Sequence, residues 1–189
     1  MKNLCKISLL LFAAATMSAC SQPDKKPATD ESAEMAGHSP DNVKTGSDET
    51  NSINKLAEGG MMEVLMGNLA AENAADPRVK AYGKMLAKDH SAADDKLQAL
   101  ATEKNVTLPD KLPAEKEQHI NMMKEQKGAD FDAHYISMMV EDHKKDIAEY
   151  KELTKKLNDP KLVDFANEAL PVLQKHLDSA EAIQKSMKK

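Results

Sequence analysis

From Asn51 onward apolar residues recur at helical spacing in four long stretches, Ile53 to Ala75, Pro77 to Lys104, Asp130 to Asn158 and Pro160 to Met187, each long enough for a bundle helix. Asp76-Pro77 and Asp159-Pro160 use one device twice, an aspartate that can cap a helix followed by proline at its first position, and predict two tight helix–helix turns. Between the two hairpins, Pro109 and Pro113 interrupt the pattern before a short helical stretch from Ala114 to Lys127. Part extended and part helical, this connector reaches roughly 50 Å, against roughly 42 Å for a 28-residue helix. It can therefore run the length of a bundle. The pattern predicts an all-α fold, an antiparallel four-helix bundle with one long crossover that contains a short helix.

The inward stripes put unexpected residues in the core. Ile136, His143, Tyr150 and Leu157 share one heptad position, and so do Leu162, Ala169, His176 and Ile183. His90 flanks the line of Val79, Leu86, Ala93 and Leu100, and Glu63 shares a small, apolar face with Leu56, Met66, Gly67 and Ala70. Counting from the turns sets heights: Glu63 lies 14 residues before Pro77 and His90 13 after it, while His143 lies 17 before Pro160 and His176 16 after it. All four fall near mid-helix, so one side chain from each long helix is expected at the centre.

Buried imidazoles and a carboxylate without partners would each cost about 1–3 kcal/mol, so something must compensate them. Three neutral imidazoles and one carboxylate form a four-coordinate N/O set suited to Zn, Cu, Fe or Mn, with Asp94 and Asp146 one turn from His90 and His143 as supporting partners. The rival is a hydrogen-bonded polar layer that fixes register without metal. Ala87, Val140 and Leu173 stand three residues before the histidines, so the Glu-x-x-His motifs of di-iron bundles are missing, and ferroxidase or oxygenase chemistry is not expected. Met61, Met62, Met66, Met85, Met138 and Met139 suit Cu(I) or act as flexible core filler. His119 and His134 fall off the core stripes and are expected at the surface. No nucleophile motif or phosphate loop is present, so no catalytic residue is named.

Composition agrees with helices, since aromatics are 3% of the chain and Trp is absent. The N-terminus reads differently from the rest. Lys2 and Lys6 precede an apolar run from Ile7 to Ala15, and Met17-Ser18-Ala19-Cys20 places small residues before a cysteine. This run is too short for a comfortable membrane span, which needs about 20 residues. Residues 1–19 are therefore read as a signal peptide resembling that of a lipoprotein, cut before a lipid-modified Cys20; a plain secretory signal cut near Ala19 is the alternative. Multiple acyl chains would hold the protein at a membrane. Ser21 resembles outer-membrane sorting, with the facing side open. Cys5 leaves with the signal, so no disulfide can form in the mature chain.

Residues 20–50, polar and rich in Pro, Ser and charge, are expected to form a disordered leash with an end-to-end distance of roughly 30 Å, and residues 51–189 the folded domain. Net charge is −5, and loss of Lys2 and Lys6 makes the mature chain more acidic, which argues against nucleic acid as a partner.

From about Ile53 to Ile183 the chain resembles an uncharacterised family of ferritin-like bacterial envelope proteins, described as outer-membrane or lipoprotein domains of unknown function. The resemblance rests on Gly59-Gly60 with Glu63, Leu69-Ala70, Asp89-His90, Leu108-Pro109, Asp130-Phe131-Asp132 with Tyr135 and His143, and Phe165-Ala166, Leu170-Pro171 and His176-Leu177. It implies a ferritin-like fold and an envelope location, and carries no reaction. Two functions are expected: a transition-metal-binding envelope module for metal buffering, sensing or stress resistance, or a metal-free interaction module that docks an envelope protein. Oligomeric state is left open.

Overall fold

Aspartate and proline set both short turns. The Asp76 carboxylate accepts from the Arg78 amide at 2.8 Å, and Asp159 accepts from the Leu162 amide at 3.0 Å, each capping the helix that the following proline opens. The computed structural model describes residues 40–187, with side chains from residue 46 onward. The expected signal peptide, Cys20 and His38 lie outside the described residues. The helices are α1 (Pro40–Asn73), α2 (Pro77–Glu103), α3 (Ala114–Lys124), α4 (Gly128–Lys156) and α5 (Pro160–Met187), with no strand among the described residues. None of these helices is long and apolar enough to cross a membrane.

Three boundaries differ from the sequence reading. Helix α1 starts at Pro40, inside the segment expected to be a leash up to Thr50. From Gly46 to Ser52 polar side chains bond back to the helix: the Thr50 hydroxyl donates to the Gly46 carbonyl at 2.8 Å and the Ser52 hydroxyl to the Asp48 carbonyl at 2.9 Å. The connector helix stops at Lys124 rather than Lys127, and α4 opens at Gly128 rather than Asp130, where a φ of 65° suits a residue without Cβ. Helix α2 ends in a Schellman arrangement. Asn105 adopts φ 56°, its amide bonds the Thr102 carbonyl at 3.1 Å, and the Val106 amide reaches the Ala101 carbonyl at 2.8 Å.

The chain forms a helical bundle in which α1 packs on α2 and α4, and α5 packs on α4 and α2, with α3 laid against α1. Asp132 fixes how the crossover returns. Buried at the start of α4, its carboxylate accepts from the amides of Ala75 (3.0 Å) and Asp76 (2.7 Å), so α4 begins beside the α1–α2 turn. At the other end Lys104, just after α2, pairs with Asp159 of the second turn. Asp132→Ala would strand two backbone donors, and we expect it to lower stability by about 2–4 kcal/mol, read as a drop in the urea midpoint with unchanged slope.

Two glycines set the closeness of α1 and α2. A Cβ on Gly83 would lie 2.5 Å from the Gly67 carbonyl oxygen, and one on Gly67 would lie 2.6 Å from the Gly83 oxygen. The apolar core is in two clusters. One holds Met66, Leu69, Tyr82, Leu86, Phe131 and Tyr135, and the other holds Ile53, Leu56, Leu97, Ala101, Leu162 and Phe165. On α1 and α2, Glu63 and His90 occupy the interval between them.

Candidate metal centre

The apolar neighbours of Glu63 on α1, Leu56 and Met66, must face the core, and the helical repeat carries the carboxylate in with them. The same reasoning turns His143 inward with Ile136 and Ile147, and His176 with Leu173 and Ala180. Glu63 is 7% exposed, and His143 and His176 are fully buried. His90 is mostly buried. The four side chains come together: one ring nitrogen from each of the three histidines lies within 4.8 Å of the others, and a Glu63 oxygen lies as close to His143 and Asp146. Ring centroids are separated by 5.3 Å for His143 and His176 and by 5.4 Å for His90 and His176.

Hydrogen bonds outside the cluster fix two of the rings. His143 Nδ1 donates to the Met139 carbonyl one turn back at 3.0 Å, which leaves Nε2 of the neutral ring bare. His176 Nε2 donates to the Asp89 carboxylate at 3.0 Å, which leaves Nδ1 bare. Those two bare nitrogens are buried without a partner, and so are His90 Nε2 and both Glu63 carboxylate oxygens. Glu63 and His90 are close enough for an ion pair, yet they are not aligned as a hydrogen bond. His143 Nε2 and His176 Nδ1 thus offer unshared electron pairs that no protein donor meets, beside the Glu63–His90 pair.

The supporting residues are not those expected from one-turn spacing. Asp94 and Asp146 hydrogen-bond to none of the rings. The Asp94 carboxylate sits over Gly60, where a Cβ would lie 2.0 Å from its oxygen, and the Asp146 carboxylate stands beside Glu63 and His143. Their influence is through charge, since both raise the pKa of His90. The orienting roles fall to the Met139 carbonyl and Asp89. Asp89 precedes His90 in sequence but points about 100° away around the helix, which carries it across to α5.

The electrostatics fit a cation. Burial opposes charge on His90, but Glu63 overrides it and the His90 pKa is raised. Burial likewise opposes ionisation of Glu63, yet His90, His143 and His176 hold its pKa below the usual value. Burial pushes Asp146 up to about 7, helped by Glu63, and Asp94 up to about 6. His176 is lowered by its burial. Tyr82 and Tyr135, which the stripes did not single out, add two buried hydroxyls without partners. His134 is exposed as expected, while His119 is half-buried with Nε2 2.8 Å from the Met138 sulfur.

Comparison with curated proteins and with solved structures gives no match. The family described as "Domain of unknown function (DUF4142)" matches residues 33–183, which take in Glu63 and all three clustered histidines. With most of its length covered by that match, the chain belongs to the DUF4142 family.

Proposed function

We propose that this chain is a membrane-anchored envelope lipoprotein whose ferritin-like four-helix bundle binds one transition-metal ion through Glu63, His90, His143 and His176. One observation carries the metal reading: four buried side chains converge, and His143 Nε2 and His176 Nδ1 lie among them without a protein partner, beside the Glu63–His90 pair. Leaving them unpaired would cost about 1–3 kcal/mol per group, and a single divalent ion would engage all four residues. The donor set admits Zn, Cu, Fe or Mn, and Met139 and Asp89 orient the rings as supporting groups do at metal sites. Support for a ferritin-like arrangement comes from two antiparallel hairpins joined by a connector that carries α3. Buffering, sensing or stress resistance would need only binding and release.

Elemental analysis of the full chain purified without added metal, then after exposure to Zn, Cu, Fe or Mn and dialysis, tests the reading. One equivalent of metal that disappears in His143→Ala supports it. Wild-type protein that retains no metal overturns it and puts the metal-free docking module first.

The anchor rests on Lys2, Lys6, the apolar run Ile7 to Ala15 and Ser18-Ala19-Cys20. Labelled palmitate is expected to enter the wild-type chain and not Cys20→Ser, which keeps its signal segment. Mass spectrometry finding an unmodified mature N-terminus at Cys20 would favour a plain secretory signal.

A further inference from the structure

A cavity of about 380 Å³ lies between α2 and α5 and reaches the cluster on its His90 and His176 side. Of the four candidate ligands, His90 and His176 line it, whereas Glu63 and His143 do not. Most of its wall is apolar, formed by Ala93, Phe165, Ala169, Val172, Leu173 and the ring of Tyr150. Pro171 also lines it and interrupts the hydrogen-bond ladder of α5 at this height, since it has no amide to offer the carbonyl one turn back. Its volume falls within the range of small-molecule sites, about 300–1,000 Å³.

The charges on the wall are unequally committed. Lys96 is paired with Glu168 at 2.8 Å, and Asp89 is held by His176 at 3.0 Å. Lys175 has no carboxylate partner among the described residues. A divalent ion held by three neutral imidazoles and one carboxylate keeps one net positive charge, and Lys175 adds a second at the wall, against the one negative charge of Asp89.

We propose that this cavity is a binding site for a small carboxylate with an apolar body, whose carboxylate takes a further coordination position on the metal from the α2–α5 side. The apolar wall receives the body, and Lys175 favours the anion. This inference rests on the metal reading above.

The test uses the full chain loaded with Co²⁺, whose visible spectrum reports changes in coordination, titrated with acetate and with benzoate. Benzoate is expected to change the spectrum and to half-saturate at a concentration about tenfold or more below acetate, because only it fills the apolar wall. Ala169→Leu and Ala93→Leu, each at a partly exposed wall position, are expected to bring the two ligands within about threefold of each other while the ligand-free Co²⁺ spectrum is retained. Lys175→Ala is expected to weaken benzoate by about threefold or more. If Co²⁺ binds and neither carboxylate alters its spectrum, the coordination sphere is closed and the inference fails while the metal reading stands. Equal affinity for acetate and benzoate, or a benzoate preference that survives both leucine variants, also overturns it. If neither Co²⁺ nor any of Zn, Cu, Fe and Mn binds, both readings fall together.

Discussion

If the chain binds a metal as proposed, saturating the metal-free protein with that ion is expected to raise its melting temperature by about 8 °C or more. The size follows from linkage. A ligand at 100 times its dissociation constant stabilises the native state by about 2.7 kcal/mol. For a domain of about 140 residues, an unfolding entropy near 2.1 cal/mol/K per residue turns that energy into a shift of this size. Alanine at His90, His143 or His176 removes most of the increment, because each takes away a donor whose replacement by water lies in a buried layer. Alanine at exposed His134 or at His38 leaves it intact.

The increment also depends on pH, with a sign that the site sets. Ligation needs neutral imidazoles. His90, whose pKa Glu63 raises against the effect of burial, gains its stabilising pair with Glu63 when protonated. In metal-free protein that contribution is full below the unfolded histidine value, about 6.5, and is lost as pH rises through the raised folded value. Metal replaces the proton there, so the difference between loaded and metal-free melting temperatures grows with rising pH through that range. His176 behaves oppositely. Its lowered value makes it stabilising above about 6.5 and costly as pH falls toward its folded value. Below its folded value a proton on His176 also competes with the ion, so both histidines shrink the metal increment in acid. Calorimetric scans from pH 5 to pH 8.5 with and without metal would show it, and an increment independent of pH would count against imidazole ligation.

Gly83→Val lowers stability by about 3 kcal/mol or more, roughly 10 °C in melting temperature, whereas Gly59→Ala raises it by about 0.5–1 kcal/mol. Both glycines are helical, so propensity alone would favour replacing either. Their surroundings decide the sign. A Cβ at Gly83 meets the Gly67 carbonyl oxygen at 2.5 Å and the Ala70 Cβ at 2.7 Å, backbone and core that cannot step aside, while a Cβ at Gly59 meets nothing within 4 Å. The Gly83 variant must push α1 from α2, and with it Glu63 from His90, so metal affinity should fall along with stability. Denaturant melts and metal titrations on both variants check this. A Gly83→Val protein as stable as wild type would mean that the two helices do not approach as closely as described.

The helices opened by a local turn signal were the most legible. Asp-Pro turns and heptad stripes name α2 and α5 closely, because capping chemistry and core contact both leave local marks in sequence. The start of α1 was not legible. Residues 46–48 of that helix are exposed, and a stretch that buries little leaves no apolar stripe, so the pattern began only at Ile53. The convergence of Glu63, His90, His143 and His176 could be counted from the turns, since helical rise converts residue number into height. Their supporting contacts could not. Asp89 reaches His176 across 87 positions, and nothing in the sequence near either residue announces that pairing. Asp132 was equally hidden, because its partners are backbone amides of another hairpin. The cavity beside His90 depends on how two helix faces meet, which no one-dimensional pattern records.

Glu63 and His90 belong to the first hairpin, His143 and His176 to the second, and more than half of the chain separates the first of these residues from the last. Neither hairpin alone offers more than two donors, which is the valency of a weak chelate. An ion that requires all four must therefore arrive late, after the crossover has returned and the halves have docked. On the proposed reading occupancy would certify assembly: a chain carrying a metal there would be one whose tertiary structure is complete.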